Sequence, residues 1–392
     1  MLETLSKAEP DKILSLIALY RDDPRPDKVD LGVGVYKDAA GATPIMRAVR
    51  EAEKRLYASQ TTKSYLGMAG DLAFNRAVSQ LALGDAAPAE RVSAVQTPGG
   101  SGALRVLGEL LHAANPAAAV WLPDPSWSNH EQLLGRAGLR LARYPYVDAS
   151  GALQFEAMRE ALRQAPRGDV VLLHGCCHNP TGVDLSATQW RATGELLRER
   201  ELLPLVDLAY QGFGDGLAED AAGLRGLLTQ VPELVVAASC SKNFSVYRDR
   251  VGAAIVVARN AAQSETAYSQ LMAVARTLYS MPPDHGAAAV SMALSDPELR
   301  ADWEAELTAM RERMQSLRRG LAEALRKATN SARFDFLAEG KGMFSRLGVS
   351  LEQVERLRHE SAVYMVDDSR INVAGLREEG LDELARKIAA VL

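Results

Sequence analysis

Short apolar runs alternating with helical patterns through the middle of the chain constrain its fold more than any other feature. The runs are Ala119–Leu122, Val170–His174, Leu203–Asp207, Leu234–Ser239 and Ala253–Ala258, with a further strand-like stretch at Ser93–Thr97. Strands that read as near-continuous apolar runs, without alternation, are buried on both faces. Between them lie helical patterns such as Ser186–Glu201, opened by a serine cap, and a turn-rich segment around Asp220–Gln230. This order predicts an α/β fold with a mostly parallel sheet between helices. Ligands of such sheets gather at the carboxyl ends of the strands, so the chemistry of this chain is expected just after each run.

Further along, Trp303, Leu307, Met310, Met314, Leu317, Leu321 and Leu325 recur at spacings of four and three. This spacing predicts one long amphipathic helix from about Asp302 to Lys327. Short strands around Phe334–Phe336 and Met343–Arg346 follow, and then a final helix from Leu381. Ile13, Leu14, Leu16, Ile17 and Tyr20 mark one face of an N-terminal helix. The domain reading is a large domain over 46–305, then an interdomain helix and small α+β C-terminal domain over 306–392. Residues 1–45 form an N-terminal arm and part of the small domain. A chain of 392 residues can bury cores of this size.

A net charge of −5, with no basic block interleaved with aromatics, argues against a nucleic-acid partner. No apolar run reaches membrane-spanning length, so no membrane is expected. Cys176, Cys177 and Cys240 are too few and too clustered for a disulfide framework, which points to a reducing compartment. The N-terminus has neither a leader pattern nor an arginine-rich transit pattern, and a cytoplasmic chain is expected.

Ser239-Cys240-Ser241-Lys242-Asn243-Phe244 closes the run that starts at Leu234, and Arg250 lies eight residues past the lysine. A lysine flanked by serines at the end of a buried strand is suited to holding a carbonyl as a Schiff base. Gly99-Gly100-Ser101-Gly102 follows Ser93–Thr97 and opens a helix. Glycines let backbone N–H groups approach an anion, Ser101 adds a hydroxyl, and a helix N-terminus favours negative charge. The segment lacks the third glycine of a dinucleotide fingerprint and the Gly-Lys-Ser/Thr of a P-loop. It suits one phosphate, with a plain flexible turn as the alternative.

Asp207 ends another run, and an aspartate there is costly without a cation, unless it is simply a helix N-cap. A pyridinium nitrogen would be such a cation, and its protonated form is the better electron sink. Tyr210 can hydrogen-bond a phenolic oxygen on the same ring, and His130 can support Asp207 from behind. Trp127, on the loop Pro123–His130, can lie flat against an aromatic ring or merely pack in the core. In Cys176-Cys177-His178-Asn179-Pro180-Thr181-Gly182 the asparagine amide can turn into a cleft. No metal is expected there, because adjacent cysteines of an extended chain point to opposite sides and no second ligand cluster is visible. Arg370 and Arg276 each offer a fork for a carboxylate, with a structural ion pair as the alternative.

With these motifs in order, the chain resembles the class I aminotransferases of fold type I, which depend on pyridoxal 5'-phosphate. Within them it is similar to the bacterial aspartate and aromatic amino-acid aminotransferases. The likeness runs from Asp11-Lys12-Ile13-Leu14 to the C-terminus and includes Asp30–Lys37 and Thr62–Gly67. The stretches around Lys242, Met343–Gly348 and Tyr364–Arg370 look like the aromatic branch of some proteobacteria. The resemblance implies a seven-stranded, mostly parallel sheet in the large domain. It implies Lys242 as the Schiff-base lysine and proton carrier, Asp207 at the pyridine nitrogen, Asn179 and Tyr210 at the phenolic oxygen, and Trp127 stacked on the ring. Gly100, Ser101, Ser239 and Arg250 would hold the phosphate, joined by Tyr65 from a neighbouring subunit. Arg370 would clamp the substrate α-carboxylate, with Gly34, Trp127 and Asn179 beside the substrate. Arg276, also from the neighbour, would receive a side-chain carboxylate, so a homodimer with shared sites follows.

The implied reaction passes the amino group of phenylalanine or tyrosine, and of aspartate, to 2-oxoglutarate in a ping-pong cycle. Met281 and Leu278 near Arg276, and Ser245-Val246 after Lys242, depart from the aspartate-type pattern and make that neighbourhood less polar. A plain aspartate aminotransferase is the alternative. A C–S lyase and a non-catalytic ligand-sensing module on the same fold are others, the latter without a segment here to bind DNA.

Overall fold

The computed structural model describes residues 2–7 and 12–392, so Asp11, where the resemblance begins, lies outside the described residues. Among those described, the strands are β1 (Val29–Asp30), β2 (Val92–Pro98), β3 (Ala119–Asp124), β4 (Arg140–Pro145), β5 (Val170–His174), β6 (Leu203–Leu208), β7 (Leu234–Ser239), β8 (Val251–Val257), β9 (Phe344–Arg346), β10 (Val363–Tyr364) and β11 (Arg370–Asn372). Seven of them form one sheet in the order β2-β8-β7-β6-β5-β3-β4. β7, β6, β5, β3 and β4 run parallel, while β8 is antiparallel to both of its neighbours. The expected α/β architecture with a mostly parallel sheet is present, and each apolar run named above falls on one of its strands.

β5, β7 and β8 are buried along their whole length, as unbroken apolar strands require. β4 escaped the apolar pattern because it is an edge strand paired only with β3 and is mostly exposed. Helices complete the core with residues such as Leu104, Leu107 and Leu271 packed on Val120, Leu172, Leu205 and Val235. Each such side chain stabilises the fold by about 1.5–3 kcal/mol through burial, which makes the sheet a rigid base for its strand ends.

Two expectations fail. The segment around Asp220–Gln230 is not a turn but lies in two short helices, Leu217–Asp220 and Ala222–Leu228. One of its glycines serves close packing: a Cβ on Gly223 would fall 2.3 Å from the Trp190 ring. Phe334–Phe336 is not a strand either; it turns into the short helix Phe336–Glu339, where Phe334 and Leu337 are buried on one side. Apolar residues two apart mimic a strand, but the spacing from Phe334 to Leu337 is that of a helical turn. The long helix spans Pro297–Thr329, beyond the expected limits at both ends. It begins with proline at its first position, and Asp296 Oδ1 accepts from the N–H groups of Glu298 and Leu299 at 2.9 and 3.1 Å. All seven residues of its predicted apolar stripe are buried.

The chain divides into two compact units, one of Met1–Ala42, Met314–Glu339 and Met343–Leu392, the other of Thr43–Arg313 and Gly340–Gly342. The larger holds the seven-stranded sheet. The smaller has its own core, with Leu31, Leu317, Leu321, Leu357, Val363, Met365 and Ile371. It also holds two short strand pairs, β1 with β10 and β9 with β11.

Candidate active site

Strand register gathers the singled-out residues of the larger unit at one edge of its sheet. His174 of β5 sits beside Asp207 of β6. Ser239 ends β7 opposite Gly252 of β8, and Pro98 ends β2 opposite Val251. Because β8 runs the other way, its beginning meets the ends of the others, and Arg250 joins Gly99, Asp207 and Ser239 at this edge.

Asp207 is buried, and the proton arrangement around it is fixed by a chain of contacts. His130 Nε2 lies 3.0 Å from Asp207 Oδ2, and its Nδ1 lies 2.8 Å from Ser126 Oγ. Ser126 Oγ is 3.4 Å from His174 Nε2, and the Asn179 backbone N–H donates to His174 Nδ1 at 3.5 Å. With an ionised aspartate, each donor in this chain points towards Asp207, an order in which hydrogen bonds polarise one another. Burial opposes the charge on Asp207, but the hydrogen bond from His130, with the electrostatic pull of the surrounding His130, His174 and Lys242, outweighs it and holds its pKa below the usual value. Burial pushes His174 down to about 3, with the nearby His130 adding to the shift, so its ring is neutral.

Lys242 lies on the turn after β7, half-buried, with Nζ 5.0 Å over the Tyr210 ring. Asn179 Nδ2 donates to Tyr210 Oη at 3.4 Å, so amide and phenol converge as a pair. The turn is held from behind by Trp303, whose indole N–H donates to Asn243 O at 2.7 Å and whose ring stacks on Phe244 at 4.4 Å. Ser245 follows with φ +56, a left-handed conformation that glycine adopts more readily. Trp127 is partly buried, edge-on to His130 with centroids 5.3 Å apart.

The third group is a cradle. Gly99 and Gly100 open the helix Gly99–Ala114, and Ser101 is partly exposed on its first turn. A Cβ on Gly99 would fall 2.5 Å from Arg250 Nη2, and one on Gly100 would fall 2.9 Å from Ser239 Cβ. The two glycines thus let a guanidinium and a hydroxyl close on a helix N-terminus, a donor set that fits a phosphate. Sequence reasoning passed over Ser241, whose Oγ accepts from Arg250 Nη1 at 3.4 Å. Its signal was its place between Ser239 and Lys242.

Outside this edge, Tyr65 is 90% exposed and Arg276 is exposed, its Nη1 donating to Ser280 Oγ at 2.6 Å. Leu278 is exposed nearby in sequence, and Met281 Sδ accepts from the Leu66 N–H. Arg370 and Gly34 belong to the smaller unit. Arg370 is buried and donates from Nη2 to Gly32 O at 3.1 Å. Asp368 Oδ1 accepts from the Arg370 N–H at 3.1 Å, while Asp367 pairs with Arg358 at 3.0 Å.

The argument from adjacent cysteines needs correction, although none of the three forms a disulfide. Cys177 has φ +52, so the chain is not extended there, and donor atoms of Cys176, Cys177 and Asp220 lie within 4.8 Å of one another. The turn is fixed instead by Asp184, which accepts from the N–H groups of Cys177 and His178 at 2.7 and 2.8 Å. Burial raises the Asp184 pKa from 3.8 to about 6. Between those values the folded state keeps a proton on Asp184 that the unfolded state has lost, so this group's contribution to stability falls as pH rises from about 4 to about 6. His174, neutral in the folded state down to about 3, works the other way over the same range, so the fall is read as a difference: thermal melts of Asp184→Asn should gain stability with rising pH more steeply than those of the unsubstituted protein. An identical profile in the variant would assign the slope to another group.

A lysine and an ionised aspartate at neighbouring strand ends, beside a cradle of donors suited to a phosphate, make an arrangement whose chemistry suits a phosphorylated pyridine carbonyl. Residues 26–388 match the family of class I and II aminotransferases, and the chain belongs to it; it is a transaminase, and pyridoxal 5'-phosphate is the family's cofactor. An aromatic-amino-acid aminotransferase of Pseudomonas aeruginosa is 52% identical over 390 residues, covering 99% of this chain and 98% of that one. An aspartate aminotransferase of Escherichia coli is 45% identical over 396 residues, covering 100% of both. The crystal structure of an aromatic-amino-acid aminotransferase from Burkholderia pseudomallei, covalently bound to pyridoxal phosphate, superposes with a TM-score of 0.97 at 43% identity, covering 100% of this chain and 99% of that one. Among the described residues no helix is long and apolar enough to cross a membrane.

Proposed function

We propose that this chain moves the amino group of phenylalanine, tyrosine and aspartate to 2-oxoglutarate, as a cytoplasmic homodimer. The reading rests on one observation above all: Asp207, kept ionised by His130 at 3.0 Å, shares a sheet edge with Lys242 and the Gly99–Arg250 cradle. Gly100, Ser101, Ser239 and Arg250 would hold the phosphate of pyridoxal phosphate, with Tyr65 supplied by a second subunit. Asp207 would pair with the ring nitrogen, Asn179 and Tyr210 with the phenolic oxygen, and Trp127 would cover the ring. The bound cofactor supplies an electron sink that acidifies the substrate Cα–H. Lys242 Nζ would take that proton and return one to the opposite end of the reacting system. Arg370, with Gly34 close by, would take the α-carboxylate. The larger unit would be the cofactor-binding domain and the smaller one the domain that carries Arg370.

Substrate breadth is read from the surroundings of Arg276. Its partner within the chain is the neutral Ser280 hydroxyl, so its charge is available to a side-chain carboxylate and it can swing aside when an aromatic ring arrives, avoiding an unpaired buried charge. Leu278 and Met281 add apolar surface beside it. Exposed Tyr57, Tyr65 and Leu66 support a face covered in a dimer, which would bring Tyr65 and Arg276 to a second subunit's site.

The test is the visible absorption of the cofactor-loaded protein with one amino acid and no oxo acid. L-phenylalanine and L-aspartate should each bleach the band. A band that survives phenylalanine and bleaches with aspartate would make the chain a plain aspartate aminotransferase.

A further inference from the structure

Arg370 sits on β11 opposite Arg346 of β9, and two residues along, Asn372 pairs with Phe344. This register brings the Arg370 guanidinium over the Phe344 ring, with Cζ 4.4 Å from the centroid. The distance is that of a cation–π contact, and burial of both residues removes the water that would weaken it. The tip of the ring is met by a close approach: a Cβ on Gly34 would fall 2.8 Å from Phe344 Cζ. Asn372 Nδ2 pins that turn by donating to Val33 O and Val35 O at 2.6 and 2.7 Å.

The backbone that carries the ring is held by Arg318, on the long helix and 1% exposed. It donates from Nη2 to Phe344 O at 2.6 Å, and from Nη1 to Ser345 Oγ at 2.7 Å and Leu337 O at 3.3 Å. Two of these bonds fix consecutive residues of β9. Burying a guanidinium is costly unless its donors are satisfied, and here they anchor the strand that carries Phe344.

We propose that Phe344 is a positioning residue for substrate binding, a shelf that fixes the plane of the Arg370 guanidinium, and that Arg318 anchors this shelf. The inference rests on the reading of Arg370 as the ligand of the substrate α-carboxylate. A carboxylate bound by both arms of the fork needs the guanidinium in its plane, and a ring beneath it restricts the rotation that would break that alignment. Every amino-acid and oxo-acid substrate carries the α-carboxylate. The shelf therefore contributes equally to ground state and transition state, and to aromatic and acidic substrates alike.

The test uses the cofactor-loaded enzyme with 3,5-difluorophenylalanine at position 344, which keeps the ring's shape and weakens its negative face, and the variant Phe344→Leu. Calorimetric titration gives the dissociation constant of 3-phenylpropionate, and steady-state kinetics give KM and kcat for phenylalanine and aspartate. Expected is a rise of about fivefold in the dissociation constant and in both KM values, by the same factor, with kcat little changed. The fluorinated residue keeps the packing, so the result stands even if Phe344→Leu folds poorly. Unchanged constants alongside a raised constant in Arg370→Lys would overturn the shelf and leave Arg370 as the carboxylate ligand. A rise confined to aspartate would overturn it too. An unchanged constant in Arg370→Lys would overturn the carboxylate reading and the shelf with it.

Discussion

Lys242→Ala is expected to abolish turnover, by at least about 10⁴-fold, the upper range for loss of a positioned proton carrier. Two of the roles proposed for Lys242 would end together in this variant, the tether to the cofactor carbonyl and the movement of the substrate proton at Nζ. Folding should survive. The turn around the lysine is held by main-chain groups: Ser245 N–H donates to Lys242 O at 3.0 Å, and Trp303 donates to Asn243 O at 2.7 Å. The cradle of Gly100, Ser239 and Arg250 is untouched, so phosphate-anchored binding of the cofactor should persist. The measurements are steady-state rates with phenylalanine and aspartate, circular dichroism, and cofactor content after gel filtration. Full cofactor content with no turnover is the expected pair of results. Normal turnover would remove Lys242 from proton transfer.

The strand ends were legible because their signals are local. An apolar run followed by an aspartate, or by a lysine between serine and asparagine, names both a buried strand and the end at which its polar residues gather. What escaped depends on distant partners. The chain from Asn179 through His174 and Ser126 to His130 joins the segments at the ends of β3 and β5, and the pairing of β3 with β5 and of β5 with β6 brings it to Asp207. The antiparallel course of β8, which delivers Arg250 to the same edge, has no signature in its apolar sequence. Gly223 read as a turn because glycine has two uses, and its contact with the Trp190 ring shows which applies. Arg318 was one more charge on a helix until its acceptors in β9 were seen.

Asp207→Asn should lower kcat by roughly three orders of magnitude, equivalent to about 3–5 kcal/mol for losing one partner of a buried ion pair. The substitution keeps shape and size, and Asn Oδ1 can still accept from His130 Nε2–H. Only the charge is lost, and with it, on the proposed reading, the reason a proton would remain on a cofactor ring nitrogen placed beside it. The His130–Ser126–His174 chain would then point its donors at a neutral group. Because Asp207 titrates below the usual carboxylate range, it stays ionised down to acid pH. Its contribution to stability is present above the ordinary aspartate pKa and is lost as pH falls through the lower folded value. His130→Asn should therefore cost much less than Asp207→Asn at neutral pH, since it removes one donor and leaves the charge. Rates for both variants against pH, with cofactor occupancy held constant, separate the two effects. Equal losses in the two would mean that His130 does more than orient and hydrogen-bond the carboxylate, and a small loss in Asp207→Asn would mean that the ring nitrogen needs no partner of opposite charge.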